Sequence, residues 1–248
     1  FRRVLFRSVR YEKLVPEDSF LGNYLSYMDK TETAYSYDFW TACWLLSSAI
    51  GRNIVINRPR APVYLNLFCI LVAESGTTRK SSAVREAVRF VRPFCKEQTQ
   101  LIESKVTPEK LEDMLHTNSK LHGQASAVIA ISELVTFLGK EKYVEQMPTL
   151  LTDLYDCPDI RTGGGSLSRG AHEIKKVFIS FLSASTPAWL LRAVNPDVIE
   201  GGFTSRVLFI VADKAKRSMS WPEESDERLR ENIIERLTQL RTKAAEVS

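Results

Sequence analysis

The chain has 248 residues, of which 44% are hydrophobic and 26% charged, and its formal net charge is +4. This is the balance of an ordinary globular protein, long enough to bury a large core without a disulfide or metal staple. Its longest apolar run, residues 63–73, is interrupted by Asn66 and falls far short of the ~20 residues of a membrane-spanning helix. We expect no membrane span, no signal peptide and a cytoplasmic location. The charge permits a nucleic-acid partner without requiring one.

The cysteines and histidines indicate neither a disulfide framework nor a zinc site. The four cysteines lie far apart and form no CxxC pair, which is typical of reduced core thiols. The three histidines are scattered in polar contexts, without the spacing of metal ligands. These residues are Cys43, Cys69, Cys95, Cys157, His116, His122 and His172.

Both ends of the chain suggest a piece of a longer protein. Residues 1–8, FRRVLFRS, resemble the in-frame translation of a sequencing adaptor, no initiator Met is present, and the last residues continue a helical pattern. We expect an artefact-like tail at 1–8, a helical segment packing on the core at 9–58, a core domain at 59–213, and the start of a C-terminal helical region at 214–248.

The first half of the chain predicts helices around one buried strand. Residues 16–50 have a helical pattern, and residues 63–73 form an apolar run of the kind found in the middle of a parallel sheet. The spacing after this strand predicts a helix that starts near Lys80 and ends before Pro93. Thr107 is expected to cap the next helix.

The second half continues the alternation. Strands are predicted at 125–134, 176–185 and 206–212, with a helix broken or restarted at Pro148 and a flexible glycine-rich loop before the second of these strands. The tail from residue 223 is amphipathic and is expected to pack as a lid or on a partner. Strands alternating with helices predict an α/β protein with a mainly parallel sheet covered on both faces.

The segment between the first strand and its helix has the chemistry of a phosphate-binding loop. In such loops backbone amides at a helix N-terminus surround the phosphates, a lysine neutralises their charge, and the next hydroxyl reaches Mg²⁺. Lys80 and Ser81 match the last two roles, but the usual glycines are replaced by Glu74 and Arg79. The alternative is a plain strand-to-helix turn. The candidate nucleotide-binding residues are Ser75, Gly76, Thr77, Thr78, Arg79, Lys80, Ser81 and Ser82.

Three further positions stand at strand ends. Glu133 follows the second strand, where an acid can orient or deprotonate an attacking water, although it could also simply start a helix. The hydroxyls of Ser183, Ser185 and Thr186 could sense a terminal phosphate or serve only as an N-cap. Arg206 precedes the last strand, where a cation could reach the phosphate of a neighbouring subunit. The carboxyl ends of parallel strands meet at one edge, so the first sites are expected to lie together.

Four segments carry a resemblance to a known family: NLFCILVAESGTTRKSSAV, AISELVTFLGKEKYVEQMPTLLTDLYDCPD, FLSASTPAWLL and GGFTSRVLFIVAD. Together they resemble an uncharacterised P-loop domain family of phages, plasmids and other mobile elements, whose members look like replicative helicases fused or adjacent to a primase. The resemblance covers roughly residues 20–213. It departs from the usual pattern in the loop glycines, in an extra residue between Gly76 and Lys80, and in Ser132, where many such proteins carry an acid.

The resemblance implies a RecA-like or AAA+-like ATPase with the three-layer P-loop NTPase sandwich, acting as a homo-oligomeric ring on DNA and using ATP and Mg²⁺. Lys80 and Ser81 would bind nucleotide and Mg²⁺. Glu133 would be the catalytic acid, and Arg206 would act in trans.

Two other classes of function compete with the motor. The weak loop glycines and Ser132 favour a nucleotide-binding scaffold or initiator that does not hydrolyse ATP efficiently. A small-molecule kinase ranks last, because nothing resembles a lid or an acceptor site. The best candidates for DNA contact are basic residues in or beside the glycine-rich loop; the alternative is a merely solvated loop. They are Arg161, Arg169, Lys175 and Lys176.

Overall fold

The computed structural model describes residues 14–95, 98–138, 146–163, 172–193, 202–221 and 223–247. Its centre is a five-stranded sheet in which every neighbouring pair runs parallel. The strands of this sheet are β3 (Phe68–Val72), β4 (Thr99–Ile102), β5 (Ala125–Ile131), β8 (Val177–Ser185) and β9 (Val207–Val211), in the spatial order β4-β5-β8-β3-β9.

Two small antiparallel pairs accompany the central sheet. The first joins β1 (Val55–Ile56) to β2 (Val63–Tyr64), and the second joins β6 (Ile160–Gly163) to β7 (His172–Lys175). The strand predicted at 63–73 is therefore two strands, because the chain leaves the β1–β2 pair before it enters the central sheet. The first three residues of the predicted glycine-rich loop, 161–163, belong to β6, and the rest of that loop lies outside the described residues.

Eight helices are described. They are α1 (Phe20–Met28), α2 (Tyr35–Ile50), α3 (Lys80–Val91), α4 (Pro108–His122), α5 (Leu134–Leu138), α6 (Gln146–Tyr155), α7 (Pro187–Ala193) and α8 (Glu227–Val247).

The central sheet separates two buried clusters, as alternating side chains require. Cys69 and Leu71 of β3 join residues of α1, α2, α3 and α8 on one face, whereas Phe68, Ile70 and Val72 join α4, α5 and α6 on the other. This arrangement is a three-layer α/β sandwich, and the predicted fold class is confirmed at that level. The sheet is entirely parallel.

Local sequence signals explain where several helices begin and end. Thr107 accepts the Lys110 amide hydrogen at 3.2 Å as the N-cap of α4, Pro108 occupies its first turn, and Gly123 ends the helix in the left-handed region at φ 72°. Pro148 lies in the first turn of α6 and does not break it, because an early helical position needs no amide hydrogen.

The structure also differs from the sequence expectations at the C-terminal end. The tail forms α8, whose Ile233 and Leu237 are fully buried in the cluster that includes α1, α2 and the sheet. A lid or a contact with a partner was expected, but the apolar stripe of α8 packs inside this chain. Among the described residues, no helix combines the length and the apolar character that a membrane crossing requires.

Candidate functional site

A cleft of about 440 Å³ opens at the carboxyl edge of the central sheet. It is lined by the β3–α3 loop (residues 73–79) together with the start of α3, by the turn after β5, and by the end of β8. These three segments meet because β3, β5 and β8 are parallel and adjacent, so their carboxyl ends share one edge. The fold thus places Lys80, Glu133 and Thr186 around one space.

The β3–α3 loop reaches its shape through two residues with positive φ. Gly76 lies at φ 78°, which glycine adopts without strain. Arg79 lies at φ 53°, in the left-handed region that most residues with side chains avoid. Arg79 directly precedes α3, so the chain makes the tight turn into the helix that a glycine would ordinarily make. The start of α3 opens onto the cleft through Lys80, Ser81 and Ser82.

Lys80 and Ser81 both have weak, replaceable contacts. The Lys80 Nζ donates to the carbonyl of Glu74 at 3.3 Å, which folds the ammonium back over the loop. The Ser81 Oγ donates to the carbonyl of Ser132 at 3.3 Å, and thereby links the start of α3 to the turn after β5. An ammonium has three hydrogens to donate, so Lys80 can bind an anion in the cleft.

Glu133 is exposed and, among the described residues that line the cleft, is the only acidic one; Arg79, Lys80 and Arg85 line it too. Its carbonyl accepts the Thr136 amide hydrogen at 3.0 Å, so its backbone begins α5 while its side chain remains available. The surplus of cations favours an anionic ligand. A single carboxylate beside it suits a proton acceptor or a magnesium ligand.

The strand-end hydroxyls are divided between the cleft and the core. Ser185 and Thr186 line the cleft, while Ser183 is fully buried and donates to the carbonyl of Ile131 at 2.8 Å. Ser183 therefore ties β8 to β5. The sensor role predicted for it has no direct path to a ligand, because its hydroxyl is used inside the sheet.

Thr77 and Thr78 of the candidate nucleotide-binding set do not line the cleft either. The Thr77 Oγ1 donates to Glu74 O at 3.0 Å, within the loop. Thr78 is buried, and its Oγ1 donates at 3.3 Å to the hydroxyl of Tyr37 on α2, which in turn donates to Val72 O at 2.8 Å. The Thr78 side chain is therefore held inside the fold, whereas that of Thr77 is exposed.

Arg206 lies at the opposite edge of the sheet. It ends the short 3-10 turn Thr204–Arg206 just before β9, whereas the cleft lies beyond the other end of that strand. Four residue steps along a strand span about 13 Å, so Arg206 cannot reach the cleft of its own chain. Its guanidinium forms a salt bridge with Asp156 at 2.9 Å and lies 5.8 Å from the ring centre of Tyr155.

Of the basic residues proposed for DNA contact, Lys175 and Lys176 immediately precede β8 and so lie at the same edge as Arg206. Arg161 on β6 is 19% exposed and pairs with Glu112 and Asp153, so its charge is already neutralised. Lys175 is near Glu173 at 3.8 Å, and Lys176 is exposed with φ 49°. Arg169 lies outside the described residues.

The oxygen atoms of Ser81 and Glu133 fit Mg²⁺, which prefers oxygen ligands and commonly completes its shell with water and substrate phosphates. No group of three His, Cys, Asp or Glu side chains forms a metal site in the part of the chain that the structure describes. Any magnesium here would therefore depend on a phosphate ligand.

Three residues that the sequence patterns did not single out belong to the surroundings of the cleft. Arg85 and Trp189 line it, and Glu32 accepts a hydrogen bond from Arg79 Nε at 2.9 Å. Helical spacing from Ser81 and Ser82, four and three residues before it, could have indicated Arg85. Glu32 is 47 residues away from Arg79, and no local signal indicates that contact.

Comparison with known proteins adds no relative: no family model matches the chain, and no curated protein matches it.

Proposed function

We propose that the cleft binds the phosphates of ATP with Mg²⁺ and hydrolyses the terminal phosphate. One observation carries the proposal: a lysine–serine pair at a helix N-terminus, a carboxylate and two strand-end hydroxyls line the same cleft at the carboxyl edge of a parallel sheet. Helix N-termini attract phosphate through free amides and the helix dipole, and three cations add to that attraction. The sandwich would then be a P-loop NTPase domain.

Each residue has a role in this reaction. Lys80 would exchange the Glu74 carbonyl for the outer phosphates, and the Ser81 hydroxyl would turn from Ser132 O to a phosphate-bound Mg²⁺. Glu133 would orient the attacking water or accept its proton. Ser185 and Thr186 would donate to the transferred phosphoryl group, where charge develops in the transition state.

The first test measures Mg²⁺-dependent phosphate release and the binding of a fluorescent ATP analogue. Lys80→Ala should abolish binding, whereas Glu133→Gln should retain binding and lower hydrolysis by roughly a hundredfold or more. Lys110→Ala is the matched control, since Lys110 is an exposed lysine of α4 away from the cleft. Hydrolysis that survives Lys80→Ala unchanged would reject the assignment.

We further propose that this ATPase drives a replicative helicase-like DNA motor of a phage or mobile element. The resemblance of four segments supports this step, and the positive net charge is compatible with it. Single-stranded DNA should stimulate hydrolysis, and an ATP-dependent loss of duplex should follow. RNA of the same length serves as the comparison. Hydrolysis that is indifferent to both polymers would leave an ATPase that is not a nucleic-acid motor.

A second candidate is a nucleotide-binding scaffold with little turnover. The specific observation in its favour is that Ser81 contacts a backbone carbonyl of Ser132, where an acid would otherwise help to hold Mg²⁺, and that Glu133 is the single carboxylate among the described residues lining the cleft. Binding of the analogue without phosphate release over hours, even with single-stranded DNA present, would favour the scaffold over the motor.

A further inference from the structure

Arg79 has an unusual backbone conformation for its residue type. Its φ of 53° is in the left-handed region, and besides it only Cys157 and Lys176 among the described non-glycine residues have positive φ. This conformation is energetically unfavourable for a residue with a Cβ. Glycine would make the same turn at no such cost, so the arginine side chain is the feature that needs an explanation.

The side chain of Arg79 lines the cleft and is only partly engaged. It is 54% exposed, and its contact with Glu32 runs through Nε at 2.9 Å. Within the described chain, the terminal nitrogens Nη1 and Nη2 have no protein acceptor. A guanidinium that keeps two nitrogens free can bind a phosphate through two parallel hydrogen bonds.

Glu32 is a defined alternative partner for this guanidinium. Its Oε1 accepts the Met219 amide hydrogen at 3.0 Å while its Oε2 accepts from Arg79. The hydrogen bonds from Met219 and Arg79 lower the pKa of Glu32, so it is a carboxylate at neutral pH. The Met219 contact fixes Glu32 beside the cleft whether or not Arg79 is bound to it.

We propose that Arg79 is a second phosphate-binding cation beside Lys80, and that it exchanges Glu32 for the outer phosphates of a nucleoside triphosphate when the cleft is filled. This inference rests on the proposed nucleotide site. It explains why an arginine stands at position 79, where a glycine would be unstrained: the added positive charge at the phosphates compensates for the backbone strain. The outer phosphates are the target because Arg79 adjoins Lys80.

Arg79→Gly tests the cation while preserving the turn, since glycine adopts φ 53° freely. It should weaken the binding of a fluorescent, non-hydrolysable ATP analogue roughly tenfold, as expected for the loss of one charged hydrogen-bonded contact. The corresponding diphosphate should be affected less. Arg92→Ala is the matched control, because Arg92 is an exposed arginine with one carboxylate partner, Glu103, outside the cleft.

Glu32→Gln tests the exchange, because it removes the competing charge and retains an oxygen for the Met219 amide. It should tighten triphosphate binding by roughly threefold in the chain with Arg79 and have no effect in the Arg79→Gly background. Thermal unfolding of each variant establishes that it is folded.

Triphosphate binding by Arg79→Gly that equals or exceeds that of the unchanged chain would overturn the inference. So would a Glu32→Gln effect that is the same in both backgrounds. Lys80→Ala separates this failure from failure of the proposed function: if Lys80→Ala removes binding while Arg79→Gly does not weaken it, only the role of Arg79 is wrong. If Lys80→Ala leaves binding intact, the nucleotide site itself is wrong.

Discussion

At the scale of single residues, the β3–α3 loop is supported from beneath by Tyr37. Its hydroxyl accepts from Thr78 in the loop and donates to the carbonyl of Val72 at the end of β3. Burial raises the pKa of Tyr37, so this hydroxyl keeps its proton at ordinary pH. A helix that sequence patterns identify only as core thus also fixes the loop that lines the cleft.

Tyr37→Phe should lower the free energy of unfolding by about 1–2 kcal/mol, because the buried Thr78 hydroxyl loses its acceptor. The loss is limited, since Val72 O retains the Ala212 amide at 3.2 Å. Denaturant unfolding gives the measurement. Tyr24→Phe is the control: the Tyr24 hydroxyl is buried without a hydrogen-bond partner among the described residues, so removing it should cost little. Equal losses in both variants would contradict the supporting role.

Asp38 is a buried carboxyl whose titration should change the free energy of unfolding with pH. Burial raises the pKa of Asp38 to about 6, although Lys216 at 2.8 Å and Thr33 at 2.6 Å act to lower it. The folded chain then binds a proton more tightly than the unfolded chain. The contribution of Asp38 to stability is therefore present at low pH and is lost as pH rises through about 6.

Asp38→Asn should reveal this dependence by removing the titration while keeping similar hydrogen bonds. The difference in unfolding free energy, unchanged chain minus variant, should fall by roughly 2–3 kcal/mol as pH rises from about 4 to about 7. Denaturant unfolding at a series of pH values measures it. A difference that rises with pH would mean that the ion pair with Lys216 outweighs burial.

At the scale of elements, local signals set much of the fold, and long-range contacts set the rest. The start of α3 at Lys80 and the cap of α4 at Thr107 follow from spacing and capping, so the sequence indicates them. β4 was not predicted, because an edge strand with Thr99 and Gln100 lacks the apolar run of a central strand. The Thr78 side chain points into the core, where it hydrogen-bonds Tyr37. Tyr37 is 41 residues away in the sequence, so no local pattern indicates this contact.

The packing of α8 gives a prediction for that element. Leu237 is fully buried in the cluster shared with α1 and α2, so Leu237→Ala should lower the free energy of unfolding by about 2–5 kcal/mol through lost contacts and a cavity. Leu121→Ala is the same substitution on α4 at a side chain that is 72% exposed, and it should change stability little. If the two costs were similar, α8 would not be part of the core.

At the scale of the whole molecule, the two edges of the parallel sheet carry different groups. The carboxyl edge holds the cleft, and the opposite edge holds Arg206, Lys175 and Lys176. One chain cannot bring Arg206 to its own cleft. The resemblance implies a homo-oligomeric ring in which Arg206 of one subunit would act at the cleft of the next, and this implication can be tested through activity.

If Arg206 acts in trans as the resemblance implies, two inactive variants should restore each other's activity. Arg206→Ala should retain nucleotide binding and lose hydrolysis by roughly a thousandfold, as an arginine finger would. Glu133→Gln should be inactive because its cleft lacks the group that orients the attacking water or accepts its proton. Mixing the two creates interfaces where an intact cleft meets an intact Arg206, so phosphate release should exceed the sum of the separate variants.

Asp156→Asn separates a role of Arg206 in trans from a structural role within its own subunit. It breaks the salt bridge of Arg206 with Asp156 while keeping the guanidinium. If Asp156→Asn loses hydrolysis as fully as Arg206→Ala and mixing restores nothing, Arg206 acts only inside its own subunit.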